Sequence, residues 1–124
     1  MSKDILDQLY ATLQDRKKAD PKESYVAHLY QKGPDKMAKK IGEEGVEVAI
    51  ELIKGKKKKI KEESADLLFH LMVSWAHYDI KPEAVLKILE ERMGVSGHEE
   101  KASRTKDEGK SKDKKGNRPK DRVA

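Results

Sequence analysis

Six acidic residues in two nearby segments have the types and spacing of a metal site. They are Glu43, Glu44, Glu47 and Glu51 in "KKIGEEGVEVAIE" (residues 39–51), and Glu63 and Asp66 in "KEESAD" (residues 61–66). Like charges three and four residues apart repel each other on a helix, so this row needs a compensating partner. The chain has no cysteine, and oxygen ligands alone favour a hard cation, Mg²⁺ or Mn²⁺. Since Mg²⁺ commonly links carboxylates to substrate phosphates, the residues indicate a metal site that acts on a polyphosphate.

Two lysines accompany the glutamates. At 100° per residue around a helix, Lys36 and Lys40 fall in the same narrow strip as Glu43, Glu44 and Glu47. Both lysines precede the glutamates along the helix. We therefore expect their ammonium groups to bind phosphate oxygens beyond the metal.

A second polar strip follows the helix predicted over residues 57–77. Its members are Glu63, Asp66, His70, Ser74 and His77, and the other side chains in the second half of this helix are apolar or small. The helix predicted over residues 35–54 is apolar on two sides of its own strip. A surface helix has one apolar stripe and a broad polar face, so both helices are predicted to be largely buried. We expect the strips to face each other and the carboxylates to converge, while the role of His70 stays open.

Apolar periodicity and turn residues predict an all-α fold, a bundle of about four to five helices. The predicted helices cover roughly residues 3–16, a short segment after Ser24 as N-cap, residues 35–54, residues 57–77, and a last helix from Pro82 to a C-terminal glycine, Gly94. Neither strand-period alternation nor a hairpin dipeptide occurs in the sequence. We assign residues 1–96 to this helical domain.

The excess positive charge lies mostly at the C-terminus. Residues 105–124 hold eight of the 28 Lys/Arg and four of the 23 Asp/Glu, which leaves 20 basic and 19 acidic side chains in the first 104 residues. The last 20 residues contain only Val123 and Ala124 as apolar side chains, too few to offset the entropy of ordering. We therefore predict a basic, largely disordered tail over residues 97–124. A nearly neutral helical domain argues against nucleic acid as the main partner.

The N-terminal segment predicts a cytoplasmic protein. "MSKDILDQLYATLQ" is amphipathic and contains acidic residues, unlike the apolar core of a signal peptide. No stretch of the sequence approaches the length of a membrane span. The lack of cysteine fits a reducing compartment.

Two long segments resemble a known enzyme family. "SYVAHLYQKGPDKMAKKIGEEGVEVAIE" and "EESADLLFHLMVSWAHYDIKPEAVLKILEER" closely resemble the phosphoribosyl-ATP pyrophosphatases of histidine biosynthesis. More broadly, they resemble the all-α, MazG-like nucleotide pyrophosphohydrolases, whose EExxE motif is followed by ExxD. The resemblance covers roughly residues 4–93. The acidic motif alone identifies the superfamily, whereas "SYVAHL", "KGPDKMAKKIGEE" and "ADLLFHL" make the assignment narrower.

The resemblance implies Mg²⁺-dependent hydrolysis of phosphoribosyl-ATP to phosphoribosyl-AMP and pyrophosphate. It implies metal binding by Glu44, Glu47, Glu63 and Asp66. Glu43 would be a further ligand or the group that orients or deprotonates the attacking water.

The resemblance also assigns residues to the nucleotide and its phosphates. Lys36 and Lys40 match basic positions that bind phosphate, and Ser24, Tyr25 and Gly33 fall in the segment expected near the substrate. Members of the superfamily assemble as dimers or tetramers. Here the second apolar side of the 35–54 helix, formed by Val46, Ile50 and Ile53, is the candidate for contact between subunits.

Gly45 departs from good helix-forming sequence within the acidic motif. Glycine weakens a helix by about 1 kcal/mol relative to alanine. Close approach of another helix would explain a glycine at this position, and we take that as its expected role.

Several alternatives remain open. Another enzyme of the superfamily, which cleaves a dNTP or NTP to its monophosphate and pyrophosphate, would carry the same acidic motif. A basic helical module that binds nucleic acid would use the tail and Lys56–Lys59, but it leaves the carboxylates unexplained. A helical scaffold would bind no divalent metal. Finally, Glu43 and Glu47 could form ordinary surface ion pairs with neighbouring lysines.

Overall fold

The computed structural model describes residues 2–94, with side chains from Ile5 onward. These residues form five α-helices: α1 (Ser2–Asp15), α2 (Tyr25–Lys32), α3 (Pro34–Lys54), α4 (Lys57–His77) and α5 (Pro82–Met93). A 3-10 helix, Arg16–Lys18, follows α1. No strand occurs between residues 2 and 94, so the all-α prediction is confirmed. The tail predicted for residues 97–124 lies outside the described residues.

The described residues divide into two units. Residues 2–82 form the first, which contains α1 to α4, and the second begins at Glu83 and contains α5 from that residue onward. All candidate site residues belong to the first unit.

Specific residues end and begin the helices around α2. The Ser24 side chain accepts a hydrogen bond from the Ala27 N–H at 3.1 Å, which caps α2 as predicted. Gly33 ends α2 with φ 88° and ψ −172°, a combination that is essentially restricted to glycine. Pro34 then starts α3, where the missing N–H costs nothing. The short α2–α3 junction therefore depends on Gly33.

Helices α3 and α4 form a hairpin through Gly55 and Lys56. Gly55 lies in the left-handed region, with φ 68° and ψ 25°, and its N–H bonds to the carbonyls of the last turn of α3. Two long helices joined by so short a connection run antiparallel. α3 and α4 make the most extensive helix–helix contact among the described residues.

The core lies at one end of this hairpin. Helix α1 packs on α4, and α2 packs on α3. The buried core side chains are Leu13, Val26, Leu29, Met37, Met72, Val73 and Ala76. Of the large side chains on α3, only Met37 joins this core.

The prediction that α3 and α4 are largely buried is wrong for one half of each helix. On α3, Val46, Ile50, Leu52 and Ile53 are 59%, 43%, 64% and 86% exposed. The buried residues of α4 all lie in its second half, from His70 to Ala76. The reason is that the core packs at the opposite end of the hairpin, around Met37 and Met72, and apolar periodicity does not reveal which chain covers a face.

The expected role of Gly45 is also not supported. A Cβ atom built on Gly45 meets nothing within 4 Å beyond its own helix and chain neighbours. Packing within the described residues therefore does not require a glycine at this position.

A polar tether joins the end of α1 to the end of α4. The Gln14 Nε2 group lies 3.1 Å from the Ala76 carbonyl oxygen and 3.1 Å from Asp79 Oδ1. Lys17 Nζ lies 3.0 Å from the same Asp79 oxygen. The hydrogen bonds that Lys17 and Gln14 donate to Asp79, together with the charge of Lys17, hold the pKa of Asp79 below its usual range. The tether fixes α1 on the hairpin.

No helix between residues 2 and 94 combines the length and the apolar character that a membrane span requires.

Candidate metal and substrate site

Three predicted carboxylates converge on the inner side of the α3–α4 hairpin. Glu44 of α3 and Glu63 and Asp66 of α4 can each offer one oxygen atom, and these oxygens lie within 4.8 Å of one another. Glu44 is buried, Glu63 is half-buried and Asp66 is exposed. Because α3 and α4 run antiparallel, residues near the middle of one helix face residues near the middle of the other. The hairpin therefore brings Glu44 together with two residues that lie 19 and 22 positions further along the chain.

Buried oxygens without partners support a cation at this cluster. The Oε1 atoms of Glu44, Glu51 and Glu63 are buried and have no hydrogen-bond partner. A buried carboxylate oxygen without a partner is costly, and converging carboxylates repel one another. A hard divalent cation that prefers oxygen ligands would relieve both effects. The residues therefore fit Mg²⁺ or Mn²⁺.

Glu47 lies beside this group without belonging to it. Its hydrogen bond with Glu63 raises the pKa of Glu63, and burial together with the charges of Glu47, Asp66 and Glu44 raises it further. Glu63 therefore holds a proton more readily than an isolated glutamate does. A bound cation would displace that proton, since a carboxylate must be deprotonated to bind a metal.

Lys40 lies at the edge of the cluster, beside Glu43. Its Nζ atom is 3.4 Å from Glu43 Oε1 and 3.9 Å from Glu44 Oε2. The pKa of Lys40 is raised by the neighbouring Tyr25 side chain and by Glu43 and Glu44. The two glutamates are the groups within ion-pair distance of its ammonium. Lys40 is held as a cation next to the carboxylates.

Glu43 and Lys36 are placed differently from the converging carboxylates. Glu43 is exposed and forms the surface ion pair with Lys40, as the alternative reading of this residue proposed. Glu43 is not one of the three convergent carboxylates. Lys36 is half-buried one turn before Lys40.

Tyr25 and His70 connect α2 to α4. The Tyr25 Oη atom lies 2.9 Å from His70 Nε2, and the two rings meet edge to face. His70 is buried, and its Nδ1 atom lies 2.9 Å from the Asp66 carbonyl oxygen. Sequence reasoning left the role of His70 open and did not predict its contact with Tyr25. In the sequence, only the spacing of Asp66 and His70, one helical turn, indicated that His70 lies near the carboxylates.

Ser24 and Gly33 have evident structural roles. The Ser24 oxygen caps α2, and Gly33 forms the junction between α2 and α3. Both residues flank the helix that carries Tyr25. Their contact with a substrate stays a prediction.

Glu51 was not among the predicted ligands. Its Oε1 atom is buried without a hydrogen-bond partner, two helical turns after Glu44. The carboxylate strip on α3 therefore extends beyond the acidic motif.

Comparison with known proteins identifies relatives that span nearly all of the described chain. A family model described as phosphoribosyl-ATP pyrophosphohydrolase matches residues 6–93. A protein of Azospirillum brasilense named phosphoribosyl-ATP pyrophosphatase is 52% identical over 100 residues, which cover 81% of this chain and 90% of that protein. A protein of Geobacter sulfurreducens with the same name is 52% identical over 101 residues, which cover 82% and 94%. One from Cereibacter sphaeroides is 47% identical over 100 residues, which cover 81% and 97%.

Proposed function

The chain belongs to the phosphoribosyl-ATP pyrophosphohydrolase family, and from this we propose that it hydrolyses phosphoribosyl-ATP to phosphoribosyl-AMP and pyrophosphate in histidine biosynthesis. One observation carries the proposal. The family match extends over residues 6–93, and within it Glu44, Glu63 and Asp66 converge to within 4.8 Å. A polyphosphate hydrolase needs such a cluster, whereas a scaffold or a nucleic-acid-binding module does not.

We propose Mg²⁺ as the cofactor, with Mn²⁺ as a possible substitute. Glu44, Glu63 and Asp66 would hold the ion, and Glu47, which lies beside Glu63, would join them. The unpartnered oxygens of Glu44 and Glu63 support this assignment. When bound, the ion supplies neutralisation of the polyphosphate, activation of water and stabilisation of the leaving pyrophosphate.

The protein's own side chains have separate tasks in this mechanism. Lys40 and Lys36 would bind phosphate oxygens at the edge of the cluster. Lys40 pairs with Glu43 in the absence of substrate, so binding of the polyphosphate would offer Lys40 a new partner and free the Glu43 carboxylate. Glu43 could then accept a proton from the attacking water. The water oxygen bonds to phosphorus, the phosphoanhydride bond breaks, and pyrophosphate leaves.

The test is pyrophosphate release from phosphoribosyl-ATP with Mg²⁺, beside ATP and the four common dNTPs, with EDTA as control. We expect release from phosphoribosyl-ATP and none when EDTA removes the metal. Faster release from a dNTP would support the proposed metal site but show that the substrate is a dNTP and not phosphoribosyl-ATP. Intact nucleotides throughout would contradict an enzymatic role and favour a scaffold or a nucleic-acid-binding function.

We also propose that the enzyme is a homodimer or homotetramer. Val46, Ile50 and Ile53 lie on one side of α3 and are exposed in the single chain. Large apolar side chains that lie together on an exposed helix face commonly mark a subunit interface. We call this set the α3 apolar face.

We assign catalysis to residues 1–96 and propose a cytoplasmic location. Every residue assigned to the site lies between Ser24 and His70, and the family match ends at residue 93. Truncation after Arg104 should leave the rate of hydrolysis near that of the full chain. A large loss of activity would instead assign the basic tail to the substrate or to a subunit contact. Cell fractionation tests the location.

A further inference from the structure

The hydrogen bonds of His70 define which of its ring nitrogens carries hydrogen. Nδ1 lies 2.9 Å from the Asp66 carbonyl oxygen, which can only accept a hydrogen bond. Nδ1 therefore carries the hydrogen. In the neutral imidazole, Nε2 is then an acceptor, and it lies 2.9 Å from Tyr25 Oη. The Tyr25 hydroxyl consequently donates its single hydrogen to His70.

This arrangement leaves the Tyr25 oxygen as a hydrogen-bond acceptor only. A phosphate group at neutral pH presents oxygens that accept, so it gains nothing from such an oxygen. Sugar hydroxyls and the adenine amino group can donate. The Tyr25 oxygen is thus suited to the nucleoside part of a nucleotide and not to its phosphates.

Tyr25 is connected to the carboxylate cluster through His70 and Asp66. Tyr25 is 49% exposed, although its hydroxyl is bonded to a buried histidine. Asp66, which fixes His70 through its backbone, also contributes a carboxylate to the cluster.

Resting on the proposed function, we propose that His70 is a positioning residue that acts through Tyr25. By taking the hydroxyl hydrogen, His70 fixes the Tyr25 oxygen as an acceptor for a hydroxyl or amino group of the nucleoside part of the substrate. Lys40 then binds phosphate oxygens of the substrate, and Tyr25 binds its nucleoside part.

Tyr30, on the same helix, provides the matched control. Its hydroxyl donates to the Leu13 carbonyl at 2.8 Å, away from the cluster, and burial together with Tyr10 and Asp79 raises its pKa to about 12. It is a structural tyrosine. Tyr25→Phe and Tyr30→Phe therefore remove the same atom from two different settings on α2.

The kinetic test compares Tyr25→Phe, His70→Asn, the double variant and Tyr30→Phe with phosphoribosyl-ATP at pH 8. Asparagine keeps an amide that can donate to the Asp66 carbonyl and lacks a group at the Nε2 position. We expect KM to rise on the order of tenfold in each single variant of the pair, as for one lost hydrogen bond, with kcat within about twofold. The double variant should be no worse than the single variants, because both remove one contact. Tyr30→Phe should lower the melting temperature and leave KM unchanged.

Two results would overturn the inference in an active enzyme. One is an unchanged KM in Tyr25→Phe. The other is a KM in the double variant that rises by the product of the increases in the two single variants. If His70→Asn does not fold, the Tyr25→Phe result alone decides.

A spectroscopic measurement separates failure of this inference from failure of the proposed function. The ¹⁵N shifts of the His70 ring should show hydrogen on Nδ1 and none on Nε2, with the Nε2 shift altered in Tyr25→Phe. Hydrogen on Nε2 would overturn the positioning role whatever the enzyme hydrolyses. A wild-type protein that does not hydrolyse phosphoribosyl-ATP would overturn the proposed function and the substrate-positioning role, and the ring shifts would still decide whether the hydrogen bond exists.

Discussion

Glu44 combines burial with an unpaired oxygen, and this makes it the residue whose charge matters most. We expect Glu44→Gln to lower the rate of hydrolysis by more than the about 10–100-fold that loss of a supporting group around a metal costs. The amide keeps the shape of the side chain and removes a charge that repels Glu63 and Asp66. The free energy of unfolding without metal should therefore stay the same or rise. Steady-state kinetics and urea unfolding in EDTA measure the two effects.

Glu62→Gln is the matched control for Glu44→Gln. Glu62 is exposed on α4 and faces Lys58 and Lys59 at 4.0 and 3.9 Å. Surface ion pairs of this kind contribute little, so activity should stay near wild type. Equal losses in the two variants would contradict a specific role for Glu44.

Glu63 gives the site a pH dependence of defined sign. Its pKa in the folded state is raised above 4.5 by the hydrogen bond with Glu47, by burial and by neighbouring carboxylates, so the folded state binds a proton more tightly than the unfolded state. In EDTA, the stability that this proton contributes should be complete below pH 4.5 and should decrease as the pH rises through the folded pKa. Urea unfolding from pH 4 to 8 should show this decline, and Glu63→Gln should flatten it. An equal decline in Glu63→Gln would show that another group titrates, and a stability that rises with pH in wild type would contradict the raised pKa of Glu63.

At the scale of single helices, two glycines have opposite expected effects. Gly33, with φ 88° and ψ −172°, occupies a conformation that costs other residues about 1–3 kcal/mol. Gly45 lies inside α3 with no neighbour near an added Cβ, and alanine gains about 0.5–1 kcal/mol there. We expect Gly33→Ala to destabilise the protein and Gly45→Ala to stabilise it, both measured by chemical denaturation. A destabilising Gly45→Ala would indicate a close contact beyond the described residues, such as one with another subunit.

The helices themselves were predictable because their signals are local. The Ser24 cap, the Gly33–Pro34 junction and the Gly55 end of α3 are read from adjacent residues. The convergence of Glu44 with Glu63 and Asp66 followed from two long helices joined by a short turn. The contact of Tyr25 with His70 spans 45 positions, and no local pattern encodes it.

At the scale of the whole molecule, the α3 apolar face shows what one chain cannot reveal. Helical periodicity identifies Val46, Ile50 and Ile53 as apolar, but it does not say whether the same chain or another covers them. The structure leaves them exposed. For this reason, the prediction that these three side chains share one face of α3 is correct. The prediction that this face is buried within the chain is wrong.

We expect Ile50→Lys with Ile53→Lys to weaken subunit association. Each isoleucine buried at an interface contributes about 1.5–3 kcal/mol, so the dissociation constant should rise by at least about 100-fold. Analytical ultracentrifugation over a range of concentrations measures the change. Ile5→Lys, which alters an isoleucine of α1 that is 61% exposed, serves as control. A wild-type protein that is monomeric at high micromolar concentration would refute the proposed interface.

The Gln14 tether also bears on the order in which the chain folds. Gln14 reaches Ala76 and Asp79 across 62 and 65 positions, whereas α3 and α4 meet through a two-residue turn. Closing the longer loop costs more entropy, so we expect the hairpin to form in the folding transition state and α1 to dock afterwards. Gln14→Ala should then accelerate unfolding and leave the refolding rate unchanged in stopped-flow experiments. Slower refolding would place α1 in the nucleus. On the expected order, the carboxylate cluster is assembled before the N-terminal helix is in place.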